Sequence, residues 1–278
     1  MDQPNLDPFE PEYFLKVAPA WRGKLVYFPT IGSTNVEGRK ELRRPQGPRE
    51  LALVTDKQTA GRGRLGRTWE APFASGLLCT LTLPLAPLPL DRAYLYTAAL
   101  ALALLESAWQ EGGVELQLKW PNDLLREGRK CCGILAEIEH GLGPNRDESW
   151  LALGFGLNTG LTEADFAAAG LTGRAANVFP PGVTMVREVF LAATLAKLET
   201  FRQQLAENPE TVRRAWAEKL ITIGKSVEVR NMGGETQLEG VAVGVDPNGG
   251  LQVRASSGEI HTVQAGDVSV RLAGGSYA

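Results

Sequence analysis

Between residues 57 and 67 the chain places Lys57, Arg62, Arg64 and Arg67 with no acidic residue among them. The glycines at 61, 63 and 66 are interleaved with these cations, and Trp69 follows. Glycine lets a backbone take unusual dihedrals and approach a ligand closely. Arginine forks grip phosphate or carboxylate with two bonds and stay charged at any working pH. The chemistry suggested is a clamp for a phosphate-bearing anion, against the plainer alternative of a solvated basic loop. By pattern the stretch also satisfies a dinucleotide fingerprint and nearly satisfies a phosphate-binding P-loop. Both need a helix to start at the last glycine, and Pro72 would interrupt it within its first turns.

Two further stretches carry polar groups of the right kind. Lys119-Trp120-Pro121-Asn122-Asp123 ends in an amide and a carboxylate. By itself that is an ordinary turn; beside a basic clamp, Asp123 becomes a candidate ligand for Mg²⁺ accompanying a nucleotide. Lys130-Cys131-Cys132-Gly133-Ile134-Leu135 puts a lysine at the head of an apolar strand. If Lys130 points into a cleft rather than snorkelling, it is a fixed positive charge for an α-phosphate in group transfer. Gly133 implies close approach of a ligand or strand, and the adjacent cysteines read as small fillers. Gly154-Phe155-Gly156-Leu157-Asn158 ends another strand with an amide.

Elements of strand length that could position these groups are Leu25–Phe28, Leu51–Thr55, Gly76–Leu83 and runs at 115–120, 130–139 and 150–158. Thr34 and Glu37 have capping-box spacing, which starts a short helix at Ser33 or Thr34. The Ala/Leu-rich stretch at 91–110 predicts a helix buried on more than one side. Helices are also expected at 184–206 and 209–220, the latter opened by Asn208 as cap and Pro209 in its first turn. Beyond 220, short segments at 225–230, 237–245, 251–254, 260–263 and 268–272 alternate apolar and polar residues between glycine-rich turns, which predicts a small β-barrel. The boundaries expected are a loose leader at 1–23, a catalytic unit at 24–220 and the barrel at 221–278.

Composition narrows the class. The chain has 278 residues, 44% hydrophobic and 22% charged, which suits a folded globular protein rather than a disordered one. A net charge of −3 argues against a protein that mainly grips DNA. The longest uncharged apolar run, Ala93–Leu105, is too short to cross a bilayer, and the acidic N-terminus lacks an export signal. Three cysteines and two histidines suit a reducing cytoplasm and make a zinc site an unattractive reading.

Taken in order, Ser33-Thr34-Asn35, Gln58 through Arg64, Lys119 through Asp123, Lys130-x-x-Gly133-Ile134-Leu135 and Gly154-x-Gly156-x-Asn158 resemble the biotin–protein ligases. The resemblance covers residues 25–272. It implies an α+β fold: a mixed β-sheet with flanking helices, similar to class II aminoacyl-tRNA synthetases, plus a C-terminal SH3-like β-barrel. It also implies activation of biotin by ATP and Mg²⁺ to biotinyl-5′-AMP, then transfer to a lysine of a biotin carboxyl carrier domain, typically of acetyl-CoA carboxylase. Carried over by position, Ser33, Thr34, Asn35, Gln58, Arg62, Gly63, Arg64, Lys130 and Gly133 border biotin. Arg62, Arg64, Arg67, Trp69, Asn122, Lys130 and Asn158 serve ATP. Lys130, Arg62, Arg64 and Asp123 carry the chemistry, Asp123 doubling as a Mg²⁺ ligand, with no tightly bound prosthetic group.

The bifunctional members carry an N-terminal helix-turn-helix; residues 1–24 are too few for one, so a monofunctional ligase without DNA or membrane partners is expected. A homodimer is compatible with the resemblance. The rivals are a lipoate–protein ligase and a non-catalytic biotin sensor. Leu65, where many family loops carry a further basic or polar residue, and the Cys131-Cys132 pair depart from the family pattern.

Overall fold

Apolar alternation and short turns shape most of this molecule, and the elements follow them closely. The computed structural model describes residues 7–144, 146–231, 233–265 and 269–272, the last of these as backbone. Its helices are α1 (Pro11–Val17), α2 (Thr34–Leu42), α3 (Tyr94–Gly112), α4 (Glu163–Ala168), α5 (Arg187–Glu207) and α6 (Pro209–Lys219). Its strands are β1 (Leu25–Phe28), β2 (Leu51–Thr55), β3 (Gly76–Pro84), β4 (Gln117–Lys119), β5 (Asp123–Arg126), β6 (Arg129–Leu142) and β7 (Glu148–Asn158). Five more follow: β8 (Ser226–Arg230), β9 (Thr236–Val245), β10 (Leu251–Arg254), β11 (Ile260–Val263) and β12 (Ser269–Leu272).

The first seven strands form one mixed sheet in the order β1-β2-β3-β7-β6-β5-β4, with β1 and β2 parallel and the rest antiparallel. Helix α2 lies on the face that carries Thr80, Thr82 and Ala152: a side chain at Gly38 would meet all three. The opposite face, with Leu77, Cys79 and Leu81, shares a single apolar core with α3. Leu95 through Ala103 of α3 are almost all buried, because α5 and α6 cover its outer side. A left-handed Gly113 (φ 63°) ends α3, and the Asn208 side chain accepts from Glu210 N–H to start α6. Among the described residues no helix is long and apolar enough to cross a membrane.

Several expectations are corrected. The C-terminal strands are where the alternation puts them, but they form an open five-stranded antiparallel sheet, β11-β10-β9-β8-β12, with no ladder between β11 and β12 among the described residues. It is not the closed barrel. Strand number and spacing are local properties, whereas closure needs edge-to-edge register between the first and last strands. Residues 7–23, expected to be loose, contain α1 and bury Phe9 and Phe14 in the core. The capping box at Thr34 and Glu37 does not form. Ser33 is the N-cap residue but its side chain makes no capping bond, and Glu37 pairs with Lys40 instead. A box forms at Thr162 and Asp165, at the start of α4. Val268, residues 1–6 and residues 273–278 lie outside the described residues.

Candidate active site

Strand register decides what faces the cleft. Directly paired residues of an antiparallel ladder share a face. Gly133 pairs with Gly156, Leu135 with Gly154, Gly154 with Thr80, and Asp123 with Gly133. The α2 side of the sheet therefore has a floor with three glycines, and larger side chains drop into it. A Cβ on Gly154 would stand 1.7 Å from Asn35 Oδ1. One on Gly156 would stand 2.5 Å from the Trp69 ring, and one on Gly133 would meet both the Lys130 amine and Trp69. At Gly154 and Gly156 any other residue would displace a cleft side chain, whereas at Gly133 the contact is tight but not a clash.

Residues 61–69 fold back as a short hairpin over this floor. Gly63 N–H donates to Arg67 O at 2.7 Å and Trp69 N–H to Gly61 O at 3.1 Å. A side chain at Gly61 would strike Trp69 O at 2.2 Å. The tip turns through Leu65 (φ 58°) and Gly66 (φ 71°), so the Leu65 departure sits at a left-handed position that leucine rarely adopts. This hairpin turns Arg64 inward and leaves Arg62 and Arg67 more exposed.

Arg64 Nη1 donates to Asn122 Oδ1 at 3.1 Å, while its buried Nη2 and the buried Trp69 Nε1 have no hydrogen-bond partner. Burial pushes the Arg64 pKa below the usual arginine value, with the Asp123 charge pulling the other way. Asn122 is itself fixed by donating to Ile134 O. Lys130 Nζ pairs with Asp123 Oδ1 at 2.5 Å and lies 5.5 Å from the centre of the Trp69 ring. Arginine and lysine from separate stretches thus converge, each tied to a neighbour in the Asn122-Asp123 turn.

At the other end, Thr34 N–H donates to Gln58 Oε1 at 2.8 Å. Asn35 Nδ2 donates to Leu135 O and Glu137, while its Oδ1 accepts from Thr80 Oγ1 at 2.8 Å. Thr34, Asn35 and Gln58 present hydroxyls and amides here, and the Glu137 carboxylate behind Asn35 is paired with Arg39 at 3.0 Å, which suits a neutral polar ligand group.

The residues lining the inner cavity, ≈ 120 Å³, include Thr34, Asn35, Gln58, Arg62, Gly63 and Arg64, then Arg67, Trp69, Asn122, Asp123, Lys130 and Gly133, with Trp120 also at its wall. A wider cavity of ≈ 750 Å³ adjoins it across Trp69 and Lys130, within the usual range for small-molecule sites of about 300–1,000 Å³. Asn158 lines this second space, its Nδ2 donating to Ala176 O at 3.1 Å. Ser33 lines neither cavity; its Oγ is buried without a partner beside them. Cys131 and Cys132 are fully buried, and burial pushes the Cys131 thiol up to about 12 and Cys132 well above its ordinary value, so neither is a nucleophile. Among the described residues no cluster of three or more His, Cys, Asp or Glu could hold a metal ion.

Sequence reasoning missed Thr80 and the outer wall built by Phe166 and Arg174. Two threonines alternating within the otherwise apolar Leu77–Leu83 are the signal that could have marked Thr80. Nothing local marks Phe166 or Arg174. Asp56 was missed too. It is buried next to Lys57, pairs with Arg187 at 2.7 Å, and accepts from Tyr27 Oη and Phe9 N–H.

Residues 27–141 match the biotin/lipoate A/B protein ligase family, and residues 222–271 match the biotin protein ligase C-terminal domain. The chain is 30% identical to a biotin–[acetyl-CoA-carboxylase] ligase of Mycobacterium tuberculosis, over 89% of each chain. It is 26% identical to a bifunctional ligase/repressor, BirA, of Bacillus subtilis, covering 88% of this chain and 74% of that one. In fold it is similar to a biotin protein ligase from Aquifex aeolicus in complex with biotin and ATP, with TM-score 0.71 and 24% identity, covering 90% of this chain and 99% of that one.

Proposed function

Because this chain belongs to the biotin/lipoate A/B protein ligase family, we propose a reaction in which its cleft joins biotin to a protein through an adenylate. The enzyme activates biotin as biotinyl-5′-AMP at the expense of ATP, for protein biotinylation. A biotin carboxylate oxygen attacks the α-phosphorus, the bond to the bridging oxygen breaks, and pyrophosphate leaves with the electron pair. The ε-amine of an acceptor lysine then attacks the biotin carbonyl, loses a proton, and AMP departs. The name of the M. tuberculosis relative supports a biotin carboxyl carrier domain of a carboxylase as acceptor.

The observation that carries this reading is the meeting of Arg64 and Lys130 in one cavity beside an uncharged polar pocket. Carboxylate and triphosphate repel, and two cations between them allow near-attack approach and stabilise charge growing at phosphorus. We assign the biotin ring to the Thr34, Asn35 and Gln58 end, and the adenosine to the wider cavity with Trp69 and Asn158. Mg²⁺ brought by ATP would find Asp123 as a carboxylate ligand and take its other ligands from phosphates and water. Lys130 and Arg64 would then hold the α-phosphate and carboxylate, with Arg62 and Arg67 at the mouth. Residues 24–220 form the catalytic unit in this reading and 221–278 its C-terminal companion. Three free, buried cysteines suit a reducing cytoplasm.

Pyrophosphate release from ATP and Mg²⁺ on adding biotin tests the reading, with lipoate run as competitor. Biotin-dependent release is expected. Release driven by lipoate alone would support the lipoate enzyme, and no release with either acid would leave a binding protein. An Arg64→Ala variant should let go of the adenylate about 10–100-fold faster, since a hydrogen bond to a charged group contributes roughly 1.5–3 kcal/mol. Unchanged dissociation of labelled adenylate would remove Arg64 from the clamp.

A further inference from the structure

Trp120 sits at the centre of the turn that anchors both Arg64 and Lys130, yet its own restraints come from outside the seven-stranded sheet. Its indole Nε1 donates to Gly249 O at 2.9 Å, and its backbone N–H donates to Thr222 Oγ1 at 3.0 Å. Both bonds are buried: Trp120 is 1% and Thr222 0% exposed. Beside them Leu118 bridges Leu220 in parallel, and Ile221 N–H donates to Leu118 O at 2.9 Å. Residues 220–222 thus run along the free edge of β4 and lead directly into the C-terminal sheet.

Gly249 is not loosely placed either. It lies in the turn between β9 and β10, where Asp246 Oδ1 accepts from both Asn248 and Gly250 N–H at 2.8 Å. Gly249 has φ +80°, and a Cβ there would strike the Tyr94 ring at 2.5 Å. Tyr94 Oη donates to Pro247 O at 2.9 Å on the same turn. A rigid turn therefore aims one carbonyl at one indole. None of the described residues of the C-terminal sheet lines either cavity.

We propose that Trp120 is a positioning residue, through which the β9–β10 turn and Thr222 hold Asn122 and Asp123 in place against Arg64 and Lys130. The C-terminal sheet then takes part in setting the geometry of adenylation through Trp120. This inference rests on the ligase reading for its kinetic consequence, but its structural core does not. Displacing reacting groups by about 1 Å can cost on the order of 100-fold in rate, so two lost buried bonds are enough to matter.

Three variants of the full chain decide it. Trp120→Phe removes the indole donor, and Thr222→Val removes the hydroxyl acceptor at equal size. Trp150→Phe removes an indole donor, to Glu148 at 2.7 Å, away from both the cleft and the β9–β10 turn, and serves as the control. Hydrogen exchange is read at the Ile134 and Trp69 amides, which bond to Asn122 O and Gly61 O. Exchange at both should rise about tenfold in Trp120→Phe and Thr222→Val, and remain near wild type in Trp150→Phe. In biotin-dependent pyrophosphate release the first two should lose about tenfold in kcat with KM for biotin little changed, because Thr34 and Gln58 are held independently. Thermal midpoints identify any variant that fails to fold, and the equal-sized Thr222→Val keeps the comparison open if Trp120→Phe does. Exchange and kcat in both variants equal to those of Trp150→Phe would overturn the proposal. A wild-type chain without biotin-dependent release would instead count against the ligase reading, and the exchange comparison would still decide the brace.

Discussion

Replacing Lys130 by alanine is expected to lower the rate of biotin adenylation by about 10²–10³-fold, the loss typical of a preorganised charge stabiliser. The amine stands 2.5 Å from Asp123 and beside the Trp69 ring, so its position is fixed before any substrate arrives. A preorganised charge costs no reorganisation at the moment of reaction, which is why its removal acts on kcat more than on binding. The side chain of Lys130 is 27% exposed, so the fold itself should survive. Pyrophosphate release under saturating biotin and ATP checks the rate, and circular dichroism checks the fold. Turnover near wild type would remove Lys130 from the mechanism.

The largest stability effect is expected away from the cleft. Arg187 and Asp56 are a buried ion pair, with side chains 8% and 0% exposed. Arg187 Nη1 also donates to Gly76 O and its Nη2 to Asp7 O, while Asp56 accepts from Tyr27 and Phe9. An Arg187→Met variant would strand the Asp56 carboxylate in the interior, at a cost of about 3–5 kcal/mol. For a chain of this size that lowers the thermal midpoint by on the order of 10 °C. Asp56→Asn combined with Arg187→Met should be less damaged than the sum of the two single changes, because neither charge is then left alone. Additive losses in thermal melts would show that the two groups do not act as a pair. Asp56 directly precedes Lys57 and Gln58, so the same variant should loosen the base of the arginine hairpin.

The pair also shows where reading the sequence stops. Asp56 follows a strand and Arg187 opens a helix, and nothing near either residue hints at the other. The same is true of Trp120 and Gly249, of Phe9 and Phe14 inserting into the core, and of the open margins of the C-terminal sheet. Each depends on which distant segment arrives, a property of topology rather than of local pattern. By contrast, β2, β6, β7 and α6 could be read directly, since alternation, length and the Asn208-Pro209 start are local signals. Strand β5 was hidden because Asp123–Arg126 is short and lies between turn residues, so its apolar pair is too brief to show a period. The arginine hairpin and Lys130 stood out because charge beside glycine is informative wherever it occurs. Ser33 does not join them in the cavity: it is the N-cap residue of α2 and is buried outside the cavity lining.

The sulfur atoms offer a practical tool. Cys79, Cys131 and Cys132 are all free, all fully sealed from solvent, and all held as thiols by their surroundings. A thiol-directed dye cannot react with them until the sheet that encloses them opens. The rate at which such a dye is consumed therefore counts openings of the β3, β5, β6 and β7 centre, and needs no added label to rank damaged variants by their integrity.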